Sequence, residues 1–403
     1  MKNKLFSGLL PGFIRVALIT LSITAFMVSV YPVKGFCDWT KKDKEKKEDL
    51  EKPVVNDLKY LLDFVVDKSG NFDPSKVQNV IGYVDNSKST DEMINLPRYK
   101  STNGAGMRME VNTGLKHILE YAYNPDIPNY AIYPSVIRIS GWYPDSQFMT
   151  QKIKPWEYMN SCDTPKVWRG REYEVNTPDS FGGGYYKYDL ERLMVMMKYQ
   201  GRDVFLSVSR QIDKSGVGRK GLVVDDNQWN YFYSGIPGLS AGGIGWMDTY
   251  MYSSASVYVY IQDKNDPEKT TTFLFKWLKA GWAGLNVVRP KHIFEGSQRF
   301  AKAFKGIMES DNLPEPQVFA RKVNQIESMT DEEINSKMEN YSKGMEEMCS
   351  DDPEVSDKFP EVYKGGKYAD GFDREERIGI LVKEYVKQAM GKQCVIRSEF
   401  VEN

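Results

Sequence analysis

Histidine is almost absent from this chain of 403 residues: His117 and His292 are the only two. His117 lies among Leu115, Ile118 and Leu119, and His292 beside Pro290 and Ile293, neighbours that suit packed side chains better than general bases. No H-E-x-x-H or S-x-x-K spacing accompanies them and no C-x-x-C occurs, so zinc chemistry has no support, and neither a metal nor a cofactor is expected. A basic excess is lacking too. With 54 Lys+Arg against 55 Asp+Glu, the composition offers no surplus of cations on which nucleic-acid affinity would rest.

A long apolar run is also missing. Residues 16–30 are uniformly small or apolar but fall short of the roughly 20 residues that span a bilayer. Lys2, Lys4 and Arg15 precede this run, and Val33-Lys34-Gly35 places small or aliphatic groups at the −3 and −1 positions of a cleavage site. That order predicts a secretory signal peptide over residues 1–35, with a retained anchor as the alternative. Phe36, just before Cys37, is too large for a lipoprotein signal. The expected address is periplasmic or extracellular, with the membrane met only during export. Removing residues 1–35 leaves 50 Lys+Arg against 55 Asp+Glu, a further argument against a nucleic-acid partner.

Cysteine is sparse but even in number: Cys37, Cys162, Cys349 and Cys394. An oxidising compartment predicts two disulfides from them. Cys349 ends one helical segment and Cys394 follows another, which pairs these two and leaves Cys37 with Cys162.

The patterning present is that of an α+β protein. Residues 36–70 read as a charged tether followed by an amphipathic helix, in which Val54, Leu58, Leu61, Leu62 and Val65 recur at helical spacing behind Pro53. Residues 71–289 read as a loop-rich stretch leading into a central antiparallel sheet at about residues 181–262. Leu193, Val195, Met197 and Tyr199 alternate, Gln200-Gly201 interrupts, and Val204, Leu206 and Val208 alternate against Phe205, Ser207 and Ser209: a hairpin. Residues 247–252 and 257–262 read as a second hairpin around Ser253-Ser-Ala-Ser256. Short elements are expected at residues 115–123 (helix) and 135–142 (strand). Phe273, Leu274, Trp277, Leu278 and Trp282 recur at helical intervals. Residues 290–403 predict helices throughout, with capping boxes at Thr330–Glu333 and Asp373–Glu376.

Two motifs dissolve on inspection. Gly216-Val-Gly218-Arg-Lys-Gly221 matches G-x-G-x-x-G, but a strand-like run follows it where a dinucleotide site needs a helix. Oxygen-bearing side chains alternate at Asp67, Ser69, Asn71 and Asp73, yet Phe72 and Gln78 occupy the places where a calcium loop needs glycine and glutamate, so a turn is expected.

What the chain has in abundance is aromatic residues, with 25 Tyr, 19 Phe and 8 Trp. Tyr250, Tyr252, Tyr258 and Tyr260 fall on one parity within each half of the expected second hairpin, and Trp229 and Tyr231 extend the set. Rings with a polar edge suit binding surfaces. The reading is an exported, non-enzymatic protein that holds a small ligand, a glycan, a lipid or an envelope protein on this aromatic face. The alternative is a carboxylate-based envelope hydrolase acting on glycan, whose acidic pair no sequence spacing can single out.

Overall fold

The computed structural model describes residues 50–88, 90–180, 182–241, 245–350, 352, 355 and 359–396. The chain divides into two units, Met1–Lys46 with Ser240–Gly245 and Lys47–Leu239 with Trp246–Asn403. The first lies almost wholly outside the described residues, as do the signal segment and Cys37; the architecture below is that of the second.

Gln200 and Gly201 take φ of +49° and +80°, the two left-handed positions of a type I′ turn, and so set the register Tyr199↔Arg202 between β6 (Lys187–Tyr199) and β7 (Arg202–Gln211). These two strands lie inside an eight-stranded sheet with β1 (Ile94–Leu96), β2 (Asn103–Val111), β3 (Ile137–Trp142), β4 (Lys166–Asn176), β10 (Tyr250–Gln262) and β11 (Thr270–Gly281). The order is β1-β2-β11-β10-β7-β6-β4-β3, antiparallel at every pairing. The chain is α+β, as its patterning predicts, and its C-terminal part is mostly helical.

Alternation gives the sheet two different faces. One carries Leu193, Val195, Val204, Leu206, Val257 and Val259, and it packs against α1 (Lys52–Phe64) and α2 (Gln78–Asn86) through Leu58, Leu61, Leu62, Val80 and Val84. Buried Asp57 of α1 accepts the amides of Asn79 (2.7 Å) and Val80 (3.0 Å), which satisfies first-turn donors of α2 and joins the two helices into one layer.

The other face is covered by α3 (Leu115–Ala122), α4 (Asn129–Ile132) and α6 (Pro290–Met308), with α5 (Gln147–Thr150) packed beside β4. Behind them lie α7 (Pro316–Glu327), α8 (Asp331–Ser350), α9 (Pro360–Tyr363) and α10 (Arg374–Ala389), and a small sheet of β5 (Gly184–Tyr185), β8 (Arg219–Asp225) and β9 (Asn230–Pro237). The expected capping boxes form: Glu376 N donates to Asp373 Oδ1 at 2.9 Å, and Glu333 N to Thr330 Oγ1 at 3.3 Å. No helix among the described residues is long and apolar enough to cross a membrane.

Four expectations are corrected. Residues 247–252 and 257–262 do not make a hairpin: Tyr250–Gln262 is one strand, because Ser254 and Ser256 pair in register with Leu278 and Lys276 instead of turning. The helical spacing around Phe273 belongs to β11, a central strand buried on both faces, where Phe273, Phe275 and Trp277 fill one side and Leu274 the other. The loop-rich stretch also holds two long strands, β2 and β4.

The fourth correction concerns the cysteines. Cys162, Cys349 and Cys394 are free thiols. Cys349 is fully buried at the end of α8 beside Asp352, whereas half-buried Cys394 directs its Sγ at the Glu384 carbonyl, 3.6 Å away. Burial pushes the Cys349 thiol up to about 12. Thiol-reagent labelling followed by mass mapping is expected to modify Cys394 in the native protein and Cys349 only after unfolding. A Cys349–Cys394 peptide in a non-reducing digest would contradict this.

Candidate ligand cavity

On the sheet face covered by α3, α4 and α6 one cross-strand row is polar. The register aligns Gly170 of β4, Arg192 of β6, Ser209 of β7, Ser256 of β10 and Lys276 of β11 side by side. Ser209 and Ser256, between Arg192 and Lys276, are small, so the row forms a trough between two cations. Glu172 and Glu174 stand along the same face of β4, and Tyr188 and Tyr258 flank the row.

Above the trough is a cavity of about 230 Å³. Its floor includes Glu174, Arg192, Ser209, Ser254, Ser256 and Lys276; its roof includes Ile293, Ser297 and Phe300 from one side of α6, with Tyr133, Val136 and Trp142 closing an end. Half-buried Asp179 and His292 line it too. Apart from its chain neighbours and the backbone of its own helix, no atom lies within 4 Å of where a Cβ on Gly296 would stand, so the space beside this glycine is open.

The floor is an ionic network. Arg192 Nε donates to Glu172 Oε1 at 2.7 Å, Nη2 reaches the same oxygen, and Nη1 donates to Ser207 Oγ at 2.8 Å. Glu174 Oε1 is 3.6 Å from Nη2, while its Oε2 accepts the Tyr188 hydroxyl at 2.8 Å. Lys276 Nζ donates to Ser254 Oγ at 2.9 Å, and the hydroxyls of Ser209 and Ser256 are 2.7 Å apart. Burial pushes the Glu172 carboxyl up to about 7; the charge of Glu174 adds to this and Arg192 opposes it. Burial also lowers Lys276 from the usual lysine range, against the pull of Glu174 and Glu172. The Tyr188 and Tyr258 hydroxyls are raised by burial and stay neutral. Two carboxylates and two cations thus balance in formal charge.

The six aromatic residues singled out from the sequence do not share a surface. A β-bulge between Met251 and Ser253 reverses the parity of β10. Tyr258 lines the cavity and Tyr260 is fully buried, whereas Met251 takes the cavity side at its end of the strand, so Tyr250 and Tyr252 point away. There Tyr250 lies under the Lys214 ammonium at 3.9 Å, and Tyr252 accepts the Gly284 amide at 2.8 Å. Trp229 and Tyr231 are buried, and both line a second, smaller cavity described below.

The ionic residues of the trough carry no local spacing signal. Glu172, Arg192 and Lys276 lie on three strands far apart in sequence, and only the register assembles them. The serines at 207, 209, 254 and 256 are the one trace legible beforehand. Of the other motifs, Asp67 and Asp73 accept the amides of Ser69 (2.9 Å) and Ser75 (3.0 Å) as in ordinary turns. Gly221 pairs with Tyr233 inside β8–β9. Gly238-Leu-Ser-Ala-Gly242 has the G-x-S-x-G form, but Leu239–Ala241 is a strand, not the turn into a helix that presents a nucleophilic serine. His117 packs on Tyr121, ring centres 4.8 Å apart. Compared with protein-family models and with curated proteins, the chain matches none.

Proposed function

We propose that the protein is a binding protein whose ligand is a small, uncharged or zwitterionic polar molecule, most simply a single saccharide unit or polyol, held over the Arg192–Lys276 trough. The observation that carries this reading is Lys276. Its ammonium has three donors, and among the described residues its one hydrogen-bond partner is Ser254. A half-buried cation with spare donors facing a cavity is costly unless a ligand or water completes it. A floor of balanced charge disfavours a strongly charged guest. Serine hydroxyls opposite Phe300, Ile293 and the Tyr258 ring suit a molecule with hydroxyl edges and an apolar face. The volume, several times the ~30 Å³ that one water occupies, lies just below the range of about 300–1,000 Å³ usual for ligand sites, which suits a small guest.

Export remains part of the proposal and rests on residues 1–35 alone. The hydrolase alternative has one observation in its favour, since Glu174 and Asp179 both line the cavity. Asp179, however, accepts the amides of Gly182 and Gly184 and so braces its own loop, and Glu172, the other buried carboxylate, faces Arg192.

Calorimetric titration with monosaccharides, polyols and neutral amino acids tests the reading. Saturable binding is expected in the native chain, with at least a tenfold loss in Lys276→Met, a nearly isosteric change that keeps the wall intact. Equal affinity in the two proteins, or no binding of any neutral polar compound, would remove the proposal.

A further inference from the structure

A second polar enclosure lies away from the trough, where α10 packs against β3 and β9. Arg138 of β3 is 4% exposed, with its guanidinium carbon 3.8 Å from the Tyr233 ring centre and 4.9 Å from that of Phe372. One nitrogen, Nη1, meets Glu376 Oε1 at 2.9 Å, while Nε and Nη2 have no hydrogen-bond partner among the described residues; nor has the Tyr233 hydroxyl. Lys383 of α10 is also buried, and donates to the Pro134 carbonyl at 3.2 Å. One turn on, fully buried Lys387 donates to Asn230 Oδ1 (2.8 Å) and Glu384 Oε1 (2.6 Å). Glu384 Oε2 is occupied by the amides of Val395 (2.6 Å) and Ile396 (3.0 Å).

Arg138, Tyr233, Lys383, Glu376 and Glu384 border a cavity of about 20 Å³, room for one species about the size of a water. With Lys383 protonated, three cations, Arg138, Lys383 and Lys387, meet two carboxylates here, which leaves one positive charge uncompensated. The nearby Arg299 has its own counter-ion in Asp226, at 2.7 Å. The unmet groups are donors, and the carboxylates are already engaged. A guest that only accepts hydrogen bonds and carries one negative charge satisfies both deficits at once, whereas water satisfies the donors but not the charge.

We infer that this cavity is a binding site for a single monatomic anion of the chloride class, held by Arg138, Tyr233 and Lys383, and that the anion stabilises the packing of α10 on β3 and β9. A consequence concerns Lys383, which faces Arg138 from β3, Lys387 and Glu384 from its own helix, Arg299 from α6 and the ring of Tyr231 from β9. Burial, with Arg138 and Lys387 adding, lowers its ammonium to about 7. Halide affinity therefore rises as pH falls through that value, because the charged lysine binds the anion better.

The test uses the full chain and sodium bromide. Crystals grown or soaked in bromide are expected to give an anomalous peak between Arg138 and Lys383. Melting in chloride is expected to exceed melting in gluconate at equal ionic strength by at least ~2 °C, saturably, as for any ligand that binds the native state. Tyr233→Phe removes one donor and no charge, and is expected to shrink that difference while the protein still folds. Anomalous peaks confined to the surface, or melting that is the same in chloride and gluconate, would overturn the inference.

Discussion

Replacing Arg192 with leucine is expected to lower the stability of the protein by about 3–5 kcal/mol, the range found when one partner of a buried ion pair is removed. Arg192 meets Glu172 with two nitrogens, and both residues are buried on the sheet face. Without the guanidinium, Glu172 keeps a desolvated carboxylate next to Glu174, and Ser207 loses its donor. The double variant Glu172→Leu/Arg192→Leu removes both charges together and is expected to be more stable than Arg192→Leu alone, because the uncompensated charge is what destabilises. Equilibrium urea unfolding of the four proteins in the cycle gives the coupling energy.

The loss also has a pH signature. The folded-state carboxyl of Glu172 is raised to about 7, whereas an unfolded glutamate titrates near 4.3. The native state therefore binds more protons than the unfolded one between those values, and the contribution of this group is fully present below ~4 and lost as pH rises through about 7. In Arg192→Leu the carboxyl is raised further, so the deficit is largest above neutrality and shrinks on acidification. A deficit independent of pH, or a double variant weaker than the single, would show that the pair holds the sheet by packing and not by charge.

How much of this was legible in the sequence depends on what each strand faces. The β6–β7 hairpin announces itself because one face is aliphatic and the other carries Ser207, Ser209 and Arg192, so polarity alternates. β11 does not, since Phe273, Leu274 and Phe275 are all buried and consecutive apolar residues erase the period of two. The helices of residues 290–403 were legible from their stripes and caps, which are local signals. The trough was not, because Glu172, Arg192 and Lys276 become neighbours only through the register of β4, β6, β10 and β11, and two of those strands were not foreseen as such. The same holds for the second cavity, where Arg138 and Lys383, 245 positions apart, meet by the docking of α10 on β3.

Tyrosine in β10 is where the sequence reading erred most instructively, and it gives the other large effect. Tyr260→Ala is expected to destabilise by about 3–5 kcal/mol, the penalty for truncating a fully buried aromatic side chain. Tyr260 is 0% exposed, its ring parallel to that of Tyr258 with centres 6.0 Å apart and edge-on to that of Tyr123, whose hydroxyl it accepts at 3.2 Å. Alanine there leaves a void on the sheet and takes one hydrogen-bond partner from the Tyr123 hydroxyl. Tyr252→Ala, by contrast, removes one exposed hydrogen bond from the Gly284 amide and contact with the Lys279 ammonium, worth about 1 kcal/mol. The two residues are eight apart and would share a face in an unbroken strand; the bulge after Met251 separates them. Thermal melting of the two variants decides the matter. A loss in Tyr252→Ala as large as that in Tyr260→Ala would mean that the bulge does not form and that all four tyrosines face the same way.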